Sequence, residues 1–512
     1  MNIGILITDQ SKDEYIDEFI EWCDAQEFFK CNLTLYSIPT KLSIQNLVPI
    51  YLWKLINFFE VWLSVPGKTS SKHLMLKNKD IKNINGHNLD LFIAFSFHES
   101  FKTLSEFSTH GLLFFHSDVN LKNKIGPLGF SEVLSKKSNS GFSIIHFSKK
   151  DQIFHLMFEG YFPTFKSFFK NIRSINQRKI FYLQNTLQKL IKSNFDLQNA
   201  KQLSHILKDP DYPSLKKQIE YLYHLLESTL RSIKRKYVYS KSVVFQVFFT
   251  NNNWQKIKDV NLVPIENPAD GYFADPFLIE HENNTYCFME NFNYETQKGS
   301  IAACILKDNS YKILGNILEE NFHLSFPYLF KFNSKIYMVP ESCGNRDIRI
   351  YECKSFPDKW SLKTVIFNDI KAVDSMIFPF DDKWWLFTNV NPNNTSDRCS
   401  ELLIFYSDDP INGIWSAHGL NPVIVNSSNG RNGGLLKHNG SLFRVSQKQG
   451  YGEYGVGFEI NKIIALDENI YHEQVIQDQN EPIFSEMINS HHLHSNNKYS
   501  VLDRWSYKQI IN

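Results

Sequence analysis

The sequence predicts an α/β domain with an open parallel sheet, then a helical connector, then a five-bladed β-propeller. The propeller is predicted from two strand-like segments, Phe273–Ile279 and Thr285–Asn291, joined by a turn at residues 281–284. The pair recurs four more times along the chain, at a spacing of about 50 residues that is typical of propeller blades. Each unit alone would expose an apolar sheet face, so we expect five units to close into a ring. The three predicted regions are 1–160, 161–240 and 241–512.

The composition is that of a folded globular chain, and it argues against two classes of site. Of the 512 residues, 42% are hydrophobic and 21% are charged, while the formal net charge is +1. This charge gives no electrostatic basis for nucleic-acid binding. The seven cysteines form no C-x-x-C pair, which argues against structural zinc. Their dispersal, and an amino terminus without the basic region of a signal peptide, predict a cytoplasmic protein.

Alternating strand and helix patterns predict the parallel sheet of the first domain. The apolar segment Ser43–Val65 is interpreted as a packed helix, with a membrane-surface helix as the alternative, so peripheral membrane contact stays open. No apolar run reaches the length of a membrane span. Predicted strands are Ile3–Thr8, Leu33–Ser37, Leu89–Phe95 and Gly111–Asp118, and predicted helices are Glu14–Gln26, Gln177–Ser193 and Ser214–Lys236.

A first resemblance lies at the end of this domain. Phe115-His-Ser-Asp118, Gly126-Pro-Leu-Gly-Phe130 and Ser140-Gly-Phe-Ser-Ile-Ile145 resemble the amino-terminal domain of the formyltransferase superfamily. The resemblance implies that His116 and Asp151 correspond to the family's catalytic histidine and aspartate, with Asp118 as a further candidate. Phe114 stands where the family has an asparagine, and a phenyl ring cannot donate a hydrogen bond to an oxyanion.

In a propeller, the first strand of each blade lines the central channel, so equivalent positions converge. Such positions are occupied by Asp275, by Asp374 and by Arg431 or Asn432, while Glu290 and Glu341 lie at matching ends of a later strand. Acids that recur on apolar strands indicate a functional pocket. The four further strand pairs are residues 325–330 with 336–341, 373–378 with 384–389, 432–436 with 441–447, and 490–494 with 499–503.

This half of the chain also resembles the five-bladed propellers of family 43 glycosidases. Ala274-Asp-Pro-Phe277 is similar to their blade-one motif, whose aspartate is the general base, and Val373-Asp-Ser-Met376 to their blade-three motif. Where that family has a general-acid glutamate, this chain has Arg431. Because glycoside hydrolysis needs two carboxyl groups and arginine binds phosphate well, the substitution favours a transferase over a hydrolase.

A second set of motifs resembles the propeller at the amino terminus of plant glucosamine inositolphosphorylceramide transferases. Similar bacterial propellers follow a formyltransferase-like domain, and the resemblance implies a role in glycan or glycolipid assembly. The motifs are Asp275-Pro-Phe277, Ser325-Phe-Pro-Tyr328, Met338-Val-Pro-Glu-Ser342, Phe356-Pro-Asp-Lys-Trp360, Gly430-Arg-Asn-Gly-Gly434, Phe443-Arg-Val-Ser-Gln447 and Tyr471-His-Glu473.

The sequence therefore predicts a sugar transferase of bacterial polysaccharide or glycolipid assembly, acting on a phosphate-bearing substrate in the propeller channel. Asp275 is predicted as base, Asp374 and Glu341 to orient the sugar, and Arg431 and Arg444 to neutralise phosphate. Two alternatives stay open: formyl or acyl transfer to an amino sugar at His116 and Asp151, and a non-catalytic sugar-binding propeller. We expect a nucleotide sugar as donor, a sugar or glycolipid as partner, and no metal. Further predicted substrate-binding residues are Glu290, Gln447, His492, His494 and Asp503.

Overall fold

The computed structural model divides the chain into two compact units, Met1–Thr229 and Leu230–Asn512. The structure describes residues 1–8, 14–25, 32–38, 47–64, 78–80, 88–98, 100–117, 125–197, 200–204, 212–259, 262–391, 397–476 and 489–509.

The first unit is an eight-stranded sheet with helices. Its strands are β1 (Asn2–Thr8), β2 (Asn32–Ile38), β3 (Asn78–Asp80), β4 (Leu91–Ala94), β5 (Leu112–Ser117), β6 (Asn139–Phe147), β7 (Phe154–Pro163) and β8 (Lys201–Leu203). The helices are α1 (Glu14–Asp24), α2 (Leu47–Ser64), α3 (Ser100–Ser105), α4 (Phe130–Leu134), α5 (Phe168–Lys192) and α6 (Leu215–Val238), the last of which crosses the unit boundary.

The sheet is mixed, which corrects the prediction of a purely parallel one. Its order is β3-β2-β1-β4-β5-β6-β7-β8. The strands from β3 to β5 pair in parallel, whereas β6, β7 and β8 pair antiparallel. No long crossover separates β6 from β7, so these two strands form a hairpin, and hairpin strands are antiparallel.

Helix α5 lies in the predicted connector and packs on the sheet of the first unit. Its Tyr182 ring stacks on Phe158 of β7 at 4.1 Å between centroids. Helix α2 is also packed, since Trp53 contacts Phe130 and Phe168 at centroid distances of 5.1 and 5.0 Å. Its opposite face exposes Val48, Tyr51, Leu55 and Phe58. Membrane contact through this face stays a prediction; among the described residues, no helix has the length and apolarity to span a bilayer.

The second unit is a propeller of five blades, as predicted. Its strands are β9 (Tyr239–Thr250), β10 (Val263–Pro264), β11 (Gly271–His281), β12 (Asn284–Asn293), β13 (Lys298–Lys307), β14 (Ser310–Leu318), β15 (Ser325–Phe332), β16 (Lys335–Glu341), β17 (Asp347–Ser355), β18 (Lys359–Asn368), β19 (Ala372–Phe380), β20 (Lys383–Val390), β21 (Glu401–Ser407), β22 (Ser416–Ala417), β23 (Ile424–Val425), β24 (Asn432–His438), β25 (Ser441–Gly450), β26 (Glu453–Leu466), β27 (Tyr471–Val475), β28 (Leu493–Ser495) and β29 (Ser500–Gln509). Two 3₁₀ helices span Trp254–Asp259 and Cys343–Asn345.

Blades 1 to 4 are the antiparallel sheets β11 to β14, β15 to β18, β19 to β23 and β24 to β27, each numbered from the axis outwards. Blade 5 joins the two ends of the unit, because β29 pairs with the earlier strand β9 in a sheet of order β10-β9-β29-β28. Closure by strands distant in sequence leaves no open edge between the last blade and the first. All five predicted hairpins are confirmed.

Candidate functional site

A shared irregularity of the inner strands positions the candidate site. In β11, β15 and β19 the pairing register shifts at one point, so that two residues oppose one on the neighbouring strand. The residues there, Asp275, Phe326 and Asp374, all have positive φ, near 50°, 45° and 50°. Such bulges bend the strand and redirect a side chain, and aspartate tolerates this backbone conformation better than most residues.

Asp275 forms one half of the site together with blade 5. Its Oδ1 lies 3.2 Å from Nε2 of His491, whose Nδ1 lies 2.8 Å from Oδ1 of Asp503. Asp503 also accepts the backbone N–H of Asp275 at 3.1 Å. All three side chains are buried. Blade 5 therefore holds Asp275 through both its backbone and its carboxylate.

The charges of this group stabilise one another. Burial alone would lower the pKa of His491, but Asp503 and then Asp275 raise it to about 10. Burial alone would raise the pKa of Asp275, but the hydrogen bond and charge of His491 lower it below its usual range. At neutral pH the site thus contains an imidazolium beside an ionised Asp275.

Asp374 forms the second half of the site with blade 4. Nε of Arg431 donates to Oδ2 of Asp374 at 2.5 Å and Nη2 donates to Oδ1 at 3.3 Å, which is a bidentate pair. Gln447 Nε2 also donates to Oδ2, at 3.1 Å, and Asn432 Nδ2 donates to the Asp374 carbonyl at 2.9 Å. Burial raises the pKa of Asp374, against the opposing charge of Arg431.

Two glutamates occupy matching positions on the second strands of blades 1 and 2. Glu290 pairs with Ala274, and Glu341 pairs with Ser325. Burial, followed by Asp275, raises the pKa of Glu290 well above its ordinary range. Burial, followed by Asp374, raises the pKa of Glu341 to about 8. Glu341 is therefore mainly protonated at pH 7 and can donate a hydrogen bond, and burial favours the protonated form of Glu290 in the same way.

His323 lies beside Glu290, one of these acids. Its Nδ1 accepts the backbone N–H of Gly299 at 2.9 Å, so the ring proton lies on Nε2. Nε2 is 3.5 Å from Oε1 of Glu290. Burial lowers the pKa of His323, which favours the neutral ring beside Glu290.

Aromatic side chains surround the charged groups. The Tyr454 ring is 39% exposed, and it lies 5.5 Å from the His491 ring and 5.1 Å from the guanidinium carbon of Arg431. The Phe245 ring lies 4.9 Å from His491 and 5.4 Å from the half-buried ring of Tyr272. Apolar ring faces thus lie directly beside carboxylates and a guanidinium. Such a site can contact both the apolar and the polar groups of one small ligand.

The remaining predicted histidines pack below these groups. His492 is fully buried, with its ring edge-on to Phe277 and Phe326 at 4.5 and 5.4 Å. His494 accepts the backbone N–H of Leu278 through Nδ1 at 3.1 Å, and burial lowers its pKa to about 3. His494 therefore holds the inner strand of blade 1.

Arg444 is placed differently from the prediction. It is fully buried, and its Nε and Nη2 bind both carboxylate oxygens of Glu473 at 2.8 and 2.5 Å. The other N–H groups face the carbonyls of Asn429 and Gly430 and Oδ1 of Asn432. With its donors used in this way, Arg444 supports the segment that carries Arg431 and leaves no group for a phosphate.

The amino-terminal candidates are not brought together. His116 pairs with Ser143, and Nδ1 of its buried ring lies 2.8 Å from the Ser117 carbonyl. Because β6 runs antiparallel to β5, the turn that contains Asp151 follows Phe147, opposite the far end of β5 at Leu112. The four-residue offset separates these ends by about 13 Å. Asp151 instead pairs with His155 at 3.3 Å, and Asp118 lies outside the described residues.

One group of side chains among the described residues could bind a cation: Asp275, His491 and Asp503. Their potential ligand atoms lie within 4.8 Å of one another. Both nitrogens of His491 already face carboxylate oxygens. The two ion pairs account for this geometry, so the group is interpreted as a histidine that links two carboxylates.

Several residues of the site were absent from the prediction. These residues are His491, Tyr454, Tyr272 and His323, none of which is in the predicted set. Tyr454 follows Gly452 and precedes Gly455, both with positive φ, so its glycine-flanked position was the one available signal. Contacts between blades cannot be inferred from a repeat pattern alone.

Comparison with known proteins matches the propeller. Residues 261–498 match the family described as glucosamine inositolphosphorylceramide transferase 1, N-terminal. The transferase 1 of Oryza sativa subsp. japonica is 35% identical over 207 residues, which cover 40% of this chain and 27% of that protein. The Arabidopsis thaliana protein is 33% identical over 241 residues, covering 44% and 31%. The chain thus spans under a third of these relatives, and its propeller is similar to their amino-terminal type.

Solved structures with a detected likeness include a family 117 glycoside hydrolase from Zobellia galactanivorans, at 14% identity, covering 46% of this chain and 75% of that one, with a TM-score of 0.33. An exo-1,5-α-L-arabinanase from a bovine ruminal metagenomic library has 10% identity, covers 48% and 96%, and has a TM-score of 0.33.

Proposed function

We propose that this protein is a sugar transferase whose propeller binds the sugar at its axis, beside a phosphate group of the substrate. The observation that carries the proposal is the convergence of Asp275, Asp374 and Arg431 from three blades on one buried group of charges. Tyr454 lies against both His491 and Arg431, and Asp275 and Asp374 are each influenced by the charge of Arg431, which supports a shared site. Buried charges gathered from separate blades indicate a binding site more than a packing solution.

The chemistry of the surrounding side chains suits a sugar. The partly exposed ring of Tyr454 can pack against the apolar face of a pyranose, while the carboxyl groups bind its hydroxyls. Glu341 is protonated at neutral pH and can donate to a sugar oxygen, whereas Asp275 can accept from a hydroxyl. A site that both donates and accepts distinguishes sugar hydroxyls from simple anions.

Asp275 is proposed as the general base. One oxygen faces His491, and Oδ2 has no hydrogen-bond partner within the described ranges. An acceptor hydroxyl would give its proton to Oδ2 while its oxygen forms a bond to the anomeric carbon of the donor. The bond from that carbon to the donor phosphate oxygen breaks, and the electron pair leaves with the phosphate. His491 and Asp503 hold the base in place and stabilise its charge.

The substrates are inferred from similarity and from charge. The relatives are named for transfer of glucosamine to inositolphosphorylceramide. By analogy we propose a nucleotide sugar as donor and a glycolipid with a phosphate-linked head group as acceptor. Arg431 lies where a negatively charged leaving or head group would adjoin the acids.

Incubation of the full chain with labelled nucleotide sugars and an inositolphosphoryl lipid tests this function. We expect labelled glycolipid, and we expect Asp275→Asn to reduce its formation by about 10²- to 10⁴-fold, the usual contribution of a general base. Asp381→Asn is the matched control, since Asp381 is exposed in the β19–β20 turn, also with positive φ.

Equal activity of Asp275→Asn and the unchanged protein would contradict the role of Asp275. Release of free sugar without glycolipid would instead indicate hydrolysis. Sugar binding without any turnover would overturn transfer and leave a sugar-binding propeller.

A further inference from the structure

Arg431 alone is poorly suited to balance a phosphate. Two of its nitrogens already bind both oxygens of Asp374, so most of its charge is matched. Its third nitrogen, Nη1, lies 4.0 Å from Sγ of Cys399, and the described residues provide no closer polar partner. Nη1 is therefore available to an anion, but a phosphate or diphosphate carries more charge than this one group offsets.

Two further cations lie close to Arg431. Arg398 directly precedes Cys399, the residue whose thiol faces Arg431. Lys371 precedes β19 and lies three residues before Asp374, at the same end of that strand. Both side chains are half-buried, and neither has a hydrogen bond or ion pair to a described residue. Cations that lie together and lack a described partner attract an anion, so these two beside Arg431 favour an anion site.

Two residues of blade 2, Glu341 and Cys343, feel the charges of these cations. Burial and then Glu341 raise the pKa of the Cys343 thiol, while Arg398, Lys371 and Arg431 all oppose that rise. Arg431 and Arg398 likewise oppose the rise in the pKa of Glu341. Because Glu341 is protonated at pH 7 and Asp374 is paired with Arg431, Arg398 and Lys371 add positive charge beside this pair, with Asp397 as the acid next to Cys399.

We propose that Arg431, Arg398 and Lys371 form a phosphate-binding subsite beside the acids at the propeller axis. The subsite rests on the proposed function and takes a phosphate or diphosphate ester. Arg398 and Lys371 supply the second and third cations, a role that sequence reasoning gave to Arg444. The same chemistry occurs in a nucleotide-sugar diphosphate and in the phosphodiester of a lipid head group, and binding competition distinguishes these sources.

Isothermal titration calorimetry with pyrophosphate measures the subsite directly on the full chain. Arg398→Gln and Lys371→Gln should each weaken pyrophosphate binding by about 10-fold or more, as expected for loss of one charged hydrogen-bond partner. The double variant should bind more weakly than either, while Arg398→Lys should retain most of the affinity. Lys312→Gln is the control, because Lys312 is exposed on the outer strand β14 and the change in charge is equal.

Displacement of pyrophosphate by uridine diphosphate but not by inositol 1-phosphate assigns the subsite to the donor, and the reverse assigns it to the acceptor. Unchanged affinity in the double variant, with circular dichroism showing a folded protein, overturns the subsite. An equal loss in Lys312→Gln also overturns it, since binding then reflects surface charge. If pyrophosphate binds as expected but no sugar is transferred, the subsite stands and the transferase proposal fails.

Discussion

Blades 1 and 3 place an aspartate at the same bulge, yet the two aspartates have different surroundings. Asp275 faces the imidazolium of His491 and its pKa is lowered, whereas Asp374 is bound by Arg431 and Gln447 and its pKa is raised. The difference follows from the neighbouring blade in each case. Blade 5 supplies the imidazolium of His491, which Asp503 also binds. Blade 4 supplies Arg431, whose charge lowers the pKa of Asp374 by less than burial raises it.

The two environments divide the chemical work between the aspartates. Both oxygens of Asp374 accept hydrogen bonds from Arg431, and one also accepts from Gln447, so this side chain is fixed as an anchor. One oxygen of Asp275 is left for a substrate hydroxyl. The same residue at the same repeat position therefore acts as a base in one blade and as a positioning residue in the other. Variants of the partners should make this contrast measurable.

The largest effect on stability is expected from Arg431→Gln. The change leaves Asp374 buried without its counter-ion, which should lower the free energy of unfolding by about 3–5 kcal/mol at neutral pH. The loss should shrink as the pH falls, because protonation of Asp374 removes the buried charge. Chemical denaturation at pH 7 and pH 4 measures both values.

Asp374→Asn combined with Arg431→Gln is the matched control, since it removes both charges and should recover part of the stability. A loss in Arg431→Gln that is independent of pH would indicate that the arginine acts through packing alone.

An intermediate effect is expected from Glu341→Gln, and it should depend on pH. The folded-state pKa of Glu341 is about 8, above its ordinary value of 4.5, so the folded protein keeps the proton between these values. Stability therefore falls as the pH rises from about 4.5 to 8, and glutamine removes this fall. The melting temperature of Glu341→Gln should exceed that of the unchanged protein increasingly towards pH 8.

Glu282→Gln is the corresponding control, because Glu282 is exposed in the β11–β12 turn. Parallel melting curves for Glu341→Gln and the unchanged protein across this pH range would show that Glu341 ionises normally.

The smallest effect is spectroscopic and concerns His491. Because Asp503 and Asp275 raise its pKa to about 10, its ring should carry both protons at pH 8. Nitrogen-15 NMR of labelled histidine should show this imidazolium, and Asp503→Asn should shift its titration to lower pH. Asp381→Asn should leave the resonance unchanged. A neutral His491 ring at pH 8 would remove the contrast between the two aspartates.

The repeat made the propeller accessible from sequence. Each predicted hairpin corresponds to the two inner strands of one blade, because alternating apolar residues and turn residues are local signals. The pairing of β9 with β29 could not be seen in this way, since it joins segments about 250 residues apart by backbone hydrogen bonds that carry no sequence signature. Which strands form the fifth blade could therefore be seen only in the folded structure.

In the first unit, the sequence predicted the positions of strands but not the direction of every strand. Strand positions in β1, β4 and β5 agree with the prediction, but the direction of β6 does not follow from its apolar pattern. That direction separates His116 from Asp151, the pair on which the alternative of formyl or acyl transfer rests. A resemblance in short motifs therefore did not establish a shared site.

The sequence by itself determined that five apolar repeats follow one another and that some of them carry acids at equivalent positions, because repeat spacing and strand alternation are properties of neighbouring residues. Only the tertiary structure decided which charged groups form pairs. Asp275 pairs with His491, Asp374 with Arg431, and Arg444 with Glu473. The physical reason is that the interaction energy of two charged groups inside a protein depends on their burial and on their separation, here a few ångströms between blades. Those distances exist only after the ring has closed.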